Sequence, residues 1–197
     1  MNNAPLTRFL LMFLALAILS GCSFVGTRDF PLQVTTSDQH TYVVQQQWQV
    51  YAQGRDYALE VIVERRAARW RLIMLNQLGQ RLVTVESDGQ RLHVERHLSH
   101  PATRQLPDLL QAWQFGFWPL ADLQGVDPRW VFSEGNGRRE VYFSGILRAT
   151  IERLAVNENK AGDSGPQAAS GLLNPWQGSL SYNTADLRLL IHSQPLN

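Results

Sequence analysis

The chain has 197 residues, of which 44% are hydrophobic, 18% charged and 10% aromatic, enough apolar material for one packed domain and unlike a disordered or fibrous protein. Eighteen basic and 17 acidic side chains leave a net charge of +1, which gives no electrostatic footprint for nucleic acid. A single cysteine, Cys22, excludes an internal disulfide and any Cys-pair zinc site.

Arg8 precedes an unbroken apolar run, Phe9 to Leu19. It is too short for the roughly 20 residues of a membrane-spanning helix and fits the roughly 7–15 of a signal-peptide core. Leu19-Ser20-Gly21-Cys22 follows at once and resembles the bacterial lipobox, in which small residues enter a peptidase and the thiol receives a diacylglyceryl group. Residues 1–21 are therefore expected to be a cleaved lipoprotein signal peptide. Cys22 is then the lipidated first residue of the mature protein, and residues 22–40 its tether. Two or three acyl chains, at about 0.8 kcal/mol per buried methylene, anchor a body durably without a spanning segment. Ser23, by resemblance to enterobacterial lipoproteins, implies export to the outer membrane, facing the periplasm; inner-membrane retention is the alternative.

From residue 41 onward, apolar residues recur at every second position in short runs. Tyr42, Val44, Trp48 and Val50 share a face, then Tyr57, Leu59, Val61 and Val63. Trp70, Leu72 and Met74 alternate with Arg69 and Arg71, and a tight turn is expected over Asn76 to Gly79. Val83 and Val85 lead through Asp88-Gly89 to Leu92 and Val94. The period then changes: Leu106, Leu109, Leu110, Trp113 and Phe117 predict an amphipathic helix over 106–117, with Pro107 in its first turn. Strands resume at 130–133, 139–143 and 146–154. A polar loop over 157–171 and a final hairpin of 176–182 and 187–192 complete the chain. The expected fold is mainly β (α+β), a curved antiparallel half-barrel of about ten strands covered by one or more helices, spanning 41–197. Such a sheet offers more concave apolar surface than one helix covers, so either side chains fill the hollow or a ligand does.

Few residues suggest chemistry. Gly162-Asp163-Ser164-Gly165-Pro166 looks like a serine-protease nucleophile string but sits in the polar loop without a structural context for His and Asp partners. His93, His97 and His100 lack a fourth ligand nearby and read as surface histidines, so no metal is expected. Arg65, Arg66, Arg69 and Arg71 form the one basic cluster, a solvated outer face or a patch for anionic headgroups. No paired carboxylates, phosphate loop or nucleophile elbow appears; neither catalysis nor a cofactor is expected. The aromatics Trp48, Trp70, Trp113, Phe117, Trp118, Trp130 and Trp176 suit a core, and collectively the wall of a cavity for an acyl or polyene chain. The cavity candidates are Trp48, Leu59, Val61 and Trp70, together with Leu72, Met74, Trp113 and Phe117.

Two segments carry a family resemblance. Trp70 to Val94, WRLIMLNQLGQRLVTVESDGQRLHV, and Leu106 to Pro119, LPDLLQAWQFGFWP, resemble the lipoprotein-sorting superfamily of the periplasmic carrier LolA and the outer-membrane receptor LolB. The whole is also similar to a family of Gram-negative lipoproteins associated with aryl-polyene biosynthesis clusters. The resemblance implies a lidded half-barrel with an acyl-binding hollow and a LolA-like carrier as partner. It also implies that Leu78, in Asn76-Gln77-Leu78-Gly79, matches a leucine that enters the membrane. Gln77 departs from the family's proline, the long helix before the first strand is missing, and the 157–171 loop is added. The function expected is non-catalytic: an outer-membrane lipoprotein that binds an acyl-type lipid, lipoprotein or polyene and assists its transfer or insertion. The alternative is a structural or assembly lipoprotein acting through a protein partner, with an accessory hydrolase or thioesterase as a remainder.

Overall fold

Alternating apolar and polar side chains carry the described residues into ten strands, the outcome that a period of two dictates where one face is buried. A computed structural model describes residues 30–37, 41–154 and 178–196. The first meander runs through β1 (Tyr42–Ala52), β2 (Arg55–Arg66), β3 (Arg69–Leu75), β4 (Arg81–Ser87) and β5 (Leu92–Arg96). A 3-10 turn (Pro101–Gln105), α1 (Leu106–Phe117) and the single turn α2 (Leu120–Leu123) follow. The second meander is β6 (Trp130–Gly135), β7 (Arg138–Phe143), β8 (Ile146–Leu154), β9 (Gly178–Asn183) and β10 (Leu187–Pro195).

All ten make one open antiparallel sheet in the order β5-β4-β3-β2-β1-β10-β9-β8-β7-β6. The two meanders join at β1 and β10, where Trp48 faces Ile191 and Val50 faces Leu189. The sheet edges are β5 and β6, and the helical segment passes from one to the other, which lays α1 on the inner face. The expected mainly β architecture is present, with the anticipated faces of β1 to β4 turned inward, whereas β5 leaves the face expected to be buried open, Val94 being 42% exposed.

The register gives the sheet two ends. At one lie the β3–β4 turn with Leu78, the β1–β2, β7–β8 and β9–β10 turns and the start of β6. At the other lie Trp70, Ser87 and the β2–β3, β4–β5 and β6–β7 turns. These are called the Leu78 end and the Trp70 end below.

Three expectations need correction. Residues 22–40 are not a tether throughout. Phe30 is 2% exposed and packs edge-on against Phe115, Trp130 and Phe132 at ring separations of 5.0, 5.7 and 5.8 Å. Val34 O accepts from Trp70 Nε1 at 3.0 Å and from Ser87 Oγ at 2.5 Å, so this stretch belongs to the folded body. Second, α1 is not simply amphipathic. Ala112, Trp113, Gln114, Phe115 and Gly116 are all buried, because the sheet covers one side and residues 30–34 cover another. Phe117, expected on the buried stripe, is half-buried. Third, Arg65 is not on a solvated outer face: it shares the inward side of β2 with Val61 and Val63 and is buried, with its guanidinium 5.7 Å from the Tyr42 ring.

The C-terminus of α1 is fixed from the sheet. The Arg139 guanidinium donates to the carbonyls of Phe115 and of Trp118, the latter at 3.1 Å, and pairs with Glu134, with Nε 2.5 Å from its carboxylate. A cation on the last carbonyls of a helix suits the helix dipole. Burial pulls the Arg139 pKa down, and the Glu134 carboxylate opposes that shift.

Candidate functional site

The β3–β4 turn is built to hold one apolar side chain away from the protein. Asn76 Oδ1 accepts the backbone N–H of Leu78 at 3.0 Å and of Gln80 at 2.9 Å. Its Nδ2 donates to Gln80 Oε1 at 2.9 Å. Backbone bonds from Asn76 N to Gln80 O and from Gly79 N to Asn76 O close the loop. Gly79 at φ +73° supplies the left-handed residue that the turn needs. An Asx turn of this kind fixes the backbone independently of what the tip does. Leu78, at that tip, is 82% exposed, the most exposed of the large hydrophobic residues described. The same end of the sheet also exposes Leu98, Ile146 and Leu147.

The cavity candidates meet in one place, as the sequence suggested, but they are covered by protein. Trp48, Val61 and Leu72 have no exposed surface, and Leu59, Trp70, Met74 and Trp113 are buried in the same core. The Trp70 and Trp113 rings lie 5.2 Å apart, and Trp118 meets Trp70 edge-on at 6.5 Å. The hollow is thus occupied by α1 and Phe30 at these residues. Sequence reasoning did not see Phe30, because the alternation of Phe30, Leu32 and Val34 is too short a run to mark an element.

The other candidates are scattered. His93 pairs with Asp88 at 3.1 Å, His97 meets Thr84 Oγ1 at 3.0 Å, and His100 Nδ1 accepts the N–H of Ala102 at the start of the 3-10 turn. No group of three metal-ligating side chains occurs among the described residues. Arg71 pairs with Glu86 at 2.6 Å, and with Arg66 and Arg69 it lies towards the Trp70 end, opposite Leu78. The basic cluster and the Leu78 tip therefore do not serve one flat membrane surface. Cys22, Ser23, Ser164, the 157–171 loop and Trp176 fall outside the described residues. No helix among the described residues is long and apolar enough to cross a membrane.

The matching family model covers residues 43–195, from the second residue of β1 to the last residue of β10, which is all of the sheet just described but Tyr42. The chain belongs to the DUF3261 family. That family is described as protein of unknown function, and its match places the sheet, the helical crossover and the Leu78 turn within one family unit. No curated protein matches the sequence.

Proposed function

We propose that this protein is a lipid-anchored, non-catalytic handler of an acyl-type ligand on the periplasmic face of the outer membrane, where it assists ligand transfer or membrane insertion. The observation that carries the reading is Leu78, presented at 82% exposure on a turn locked by Asn76. A leucine side chain moved from water into lipid gains about 1.5–3 kcal/mol, and a rigid turn loses little entropy on inserting it. Its position also agrees with the lipobox. Phe30 packs on Trp130 and Phe132, in the half of β6 nearer the Leu78 end, whereas Val34 binds Trp70 and Ser87 at the other. The described chain therefore begins towards the Leu78 end, and the stretch from Cys22 to Phe30 reaches at most about 29 Å when extended. Anchor and tip then address the same bilayer. The likeness of residues 70–94 and 106–119 to the lipoprotein-sorting superfamily supports the same role, with a LolA-like carrier as donor and a lipid, lipoprotein or polyene as cargo.

Because α1 and Phe30 occupy the hollow, an acyl chain enters it only if they move. The test uses the full lipidated protein in vesicles, following a pyrene-labelled fatty acid passed to a second vesicle population. Transfer should be accelerated by the intact protein and fall at least tenfold with Leu78→Glu, while the amount of protein in the membrane stays unchanged. Unaltered transfer in the variant removes Leu78 from the mechanism; no transfer by either protein ends the reading.

The filled interior favours a second reading, an assembly lipoprotein whose surface engages a protein partner. Crosslinking from Leu78 to one protein in intact cells, together with an absence of extractable lipid in the purified chain, would establish it instead.

A further inference from the structure

We propose that the mouth of the hollow at the Leu78 end is a receptor for the oxyanion head, carboxylate or phosphate, of an amphiphile. This rests on the acyl-ligand reading above and adds the atoms that would recognise the head. A concavity of about 310 Å³ opens there between the start of α1, the β9–β10 turn and the first residues of β6 and β8. Three side-chain polar atoms shielded from solvent and without a hydrogen-bond partner belong to residues that line it: Trp130 Nε1, Arg148 Nε and Gln105 Oε1. Folded proteins leave few such atoms unpaired, and a group of them around one opening points to an outside partner.

Two of the three atoms, the Trp130 indole N–H and the Arg148 Nε–H, are donors and suit an anionic oxygen by their chemistry. Trp130 is 5% exposed, and its ring is held between Phe30 at 5.7 Å and Phe143 at 4.9 Å, so its N–H cannot turn away. The guanidinium of Arg148 lies 6.0 Å from the Phe143 ring and pairs with no carboxylate among the described residues. Charge-assisted hydrogen bonds of this type are among the stronger polar contacts, and more so where water is sparse. The concavity is not purely positive: Asp108 and Asp186 also line it, but both are exposed side chains at its rim. The Tyr182 phenol lines it too, and burial, with Asp108 second, raises its pKa, so it stays neutral at physiological pH. With the core behind it occupied by Phe30, the site takes the head. The hydrocarbon lies outward, beside Ile146, which pairs with Phe143 on the inward face two residues before Arg148 and is exposed.

The test is native mass spectrometry of the full-length lipidated protein released from detergent micelles, offered decanoate, decyl phosphate or decanol. The wild type should retain decanoate or decyl phosphate at least tenfold more than decanol, and whichever of the two is retained better identifies the head. Arg148→Gln should remove that preference and Trp130→Phe should weaken it several-fold, while Arg148→Lys keeps part of it. Arg66→Gln, at the opposite end, should leave it intact. Equal retention of all three probes, or a preference that survives Arg148→Gln, overturns the head-group site while leaving an apolar ligand site standing. Retention of none overturns both the site and the acyl-ligand reading.

Discussion

The side-chain amide of Gln114, fully buried on α1, exchanges two hydrogen bonds with the main chain of Gln33: the Gln33 N–H donates to Oε1 at 2.9 Å, and Nε2 donates to the Gln33 carbonyl at 2.7 Å. The arrangement imitates one rung of a β-ladder, with a side chain replacing the second strand. It lets an N-terminal segment that pairs with no strand lie against a helix without orphaned backbone groups. Gln114→Met conserves the volume but leaves both groups unpaired. It should destabilise the fold by about 2–3 kcal/mol, read as a lowered urea midpoint. A loss under about 0.5 kcal/mol would mean that water replaces the clamp.

Phe30 is the second fastening of the same segment. Phe30→Ala empties space among Phe115, Trp130 and Phe132 and should cost about 3–5 kcal/mol. The vacated space should also bind a small apolar dye such as N-phenylnaphthylamine more strongly than the wild type does. Dye binding and stability that both match the wild type would show that the ring contributes nothing to the core.

Arg139 ties the end of α1 to β7. Arg139→Met leaves the Phe115 and Trp118 carbonyls and the Glu134 carboxylate without their donor and should destabilise by about 3 kcal/mol. Arg139→Lys should recover less than half of that, because one ammonium cannot match the planar fork that reaches all three acceptors. Equal stability of the Lys variant and the wild type in chemical denaturation would refute the fork.

Asp88 gives the β4–β5 turn a pH dependence. Its carboxylate accepts the N–H groups of Gln90 and Arg91 at 2.7 and 2.8 Å, and His93 adds a weaker contribution, which together lower its pKa from 3.8 to about 2. A depressed carboxylate stabilises the turn above its unfolded pKa, near 4, and that contribution is lost as pH falls from there through about 2. The Asp88 carboxyl carbon should titrate in NMR with a midpoint near 2; a midpoint at 3.8 would discard the turn geometry.

Much of the fold was legible because its signals are local. The alternation in β1, β2 and β3 exposed their buried faces directly, and the helix limits, Leu106 and Phe117, followed from spacing and flanking prolines. The Leu78 turn was legible in Asn76 and Gly79, whose backbone chemistry is specific. Long-range pairing was not. Phe30, Gln114 and Arg65 each owe their burial to segments distant in sequence, and no window of neighbouring residues encodes that. The mouth was hidden for the same reason: Trp130, Arg148 and Gln105 come from three elements, and only the closed fold sets them round one opening.

The adjacency of β1 and β10 has a bearing on biogenesis. Val44 lies beside Pro195 and Ala52 beside Leu187, so the first strand of the sheet finds its partner in the strand furthest from it in sequence. The β1 edge stays unsatisfied until β10 has been made, an invitation to mispairing that favours chaperone escort. A chain cut before Leu187 would lack β10 and unzip along its midline, far from either margin.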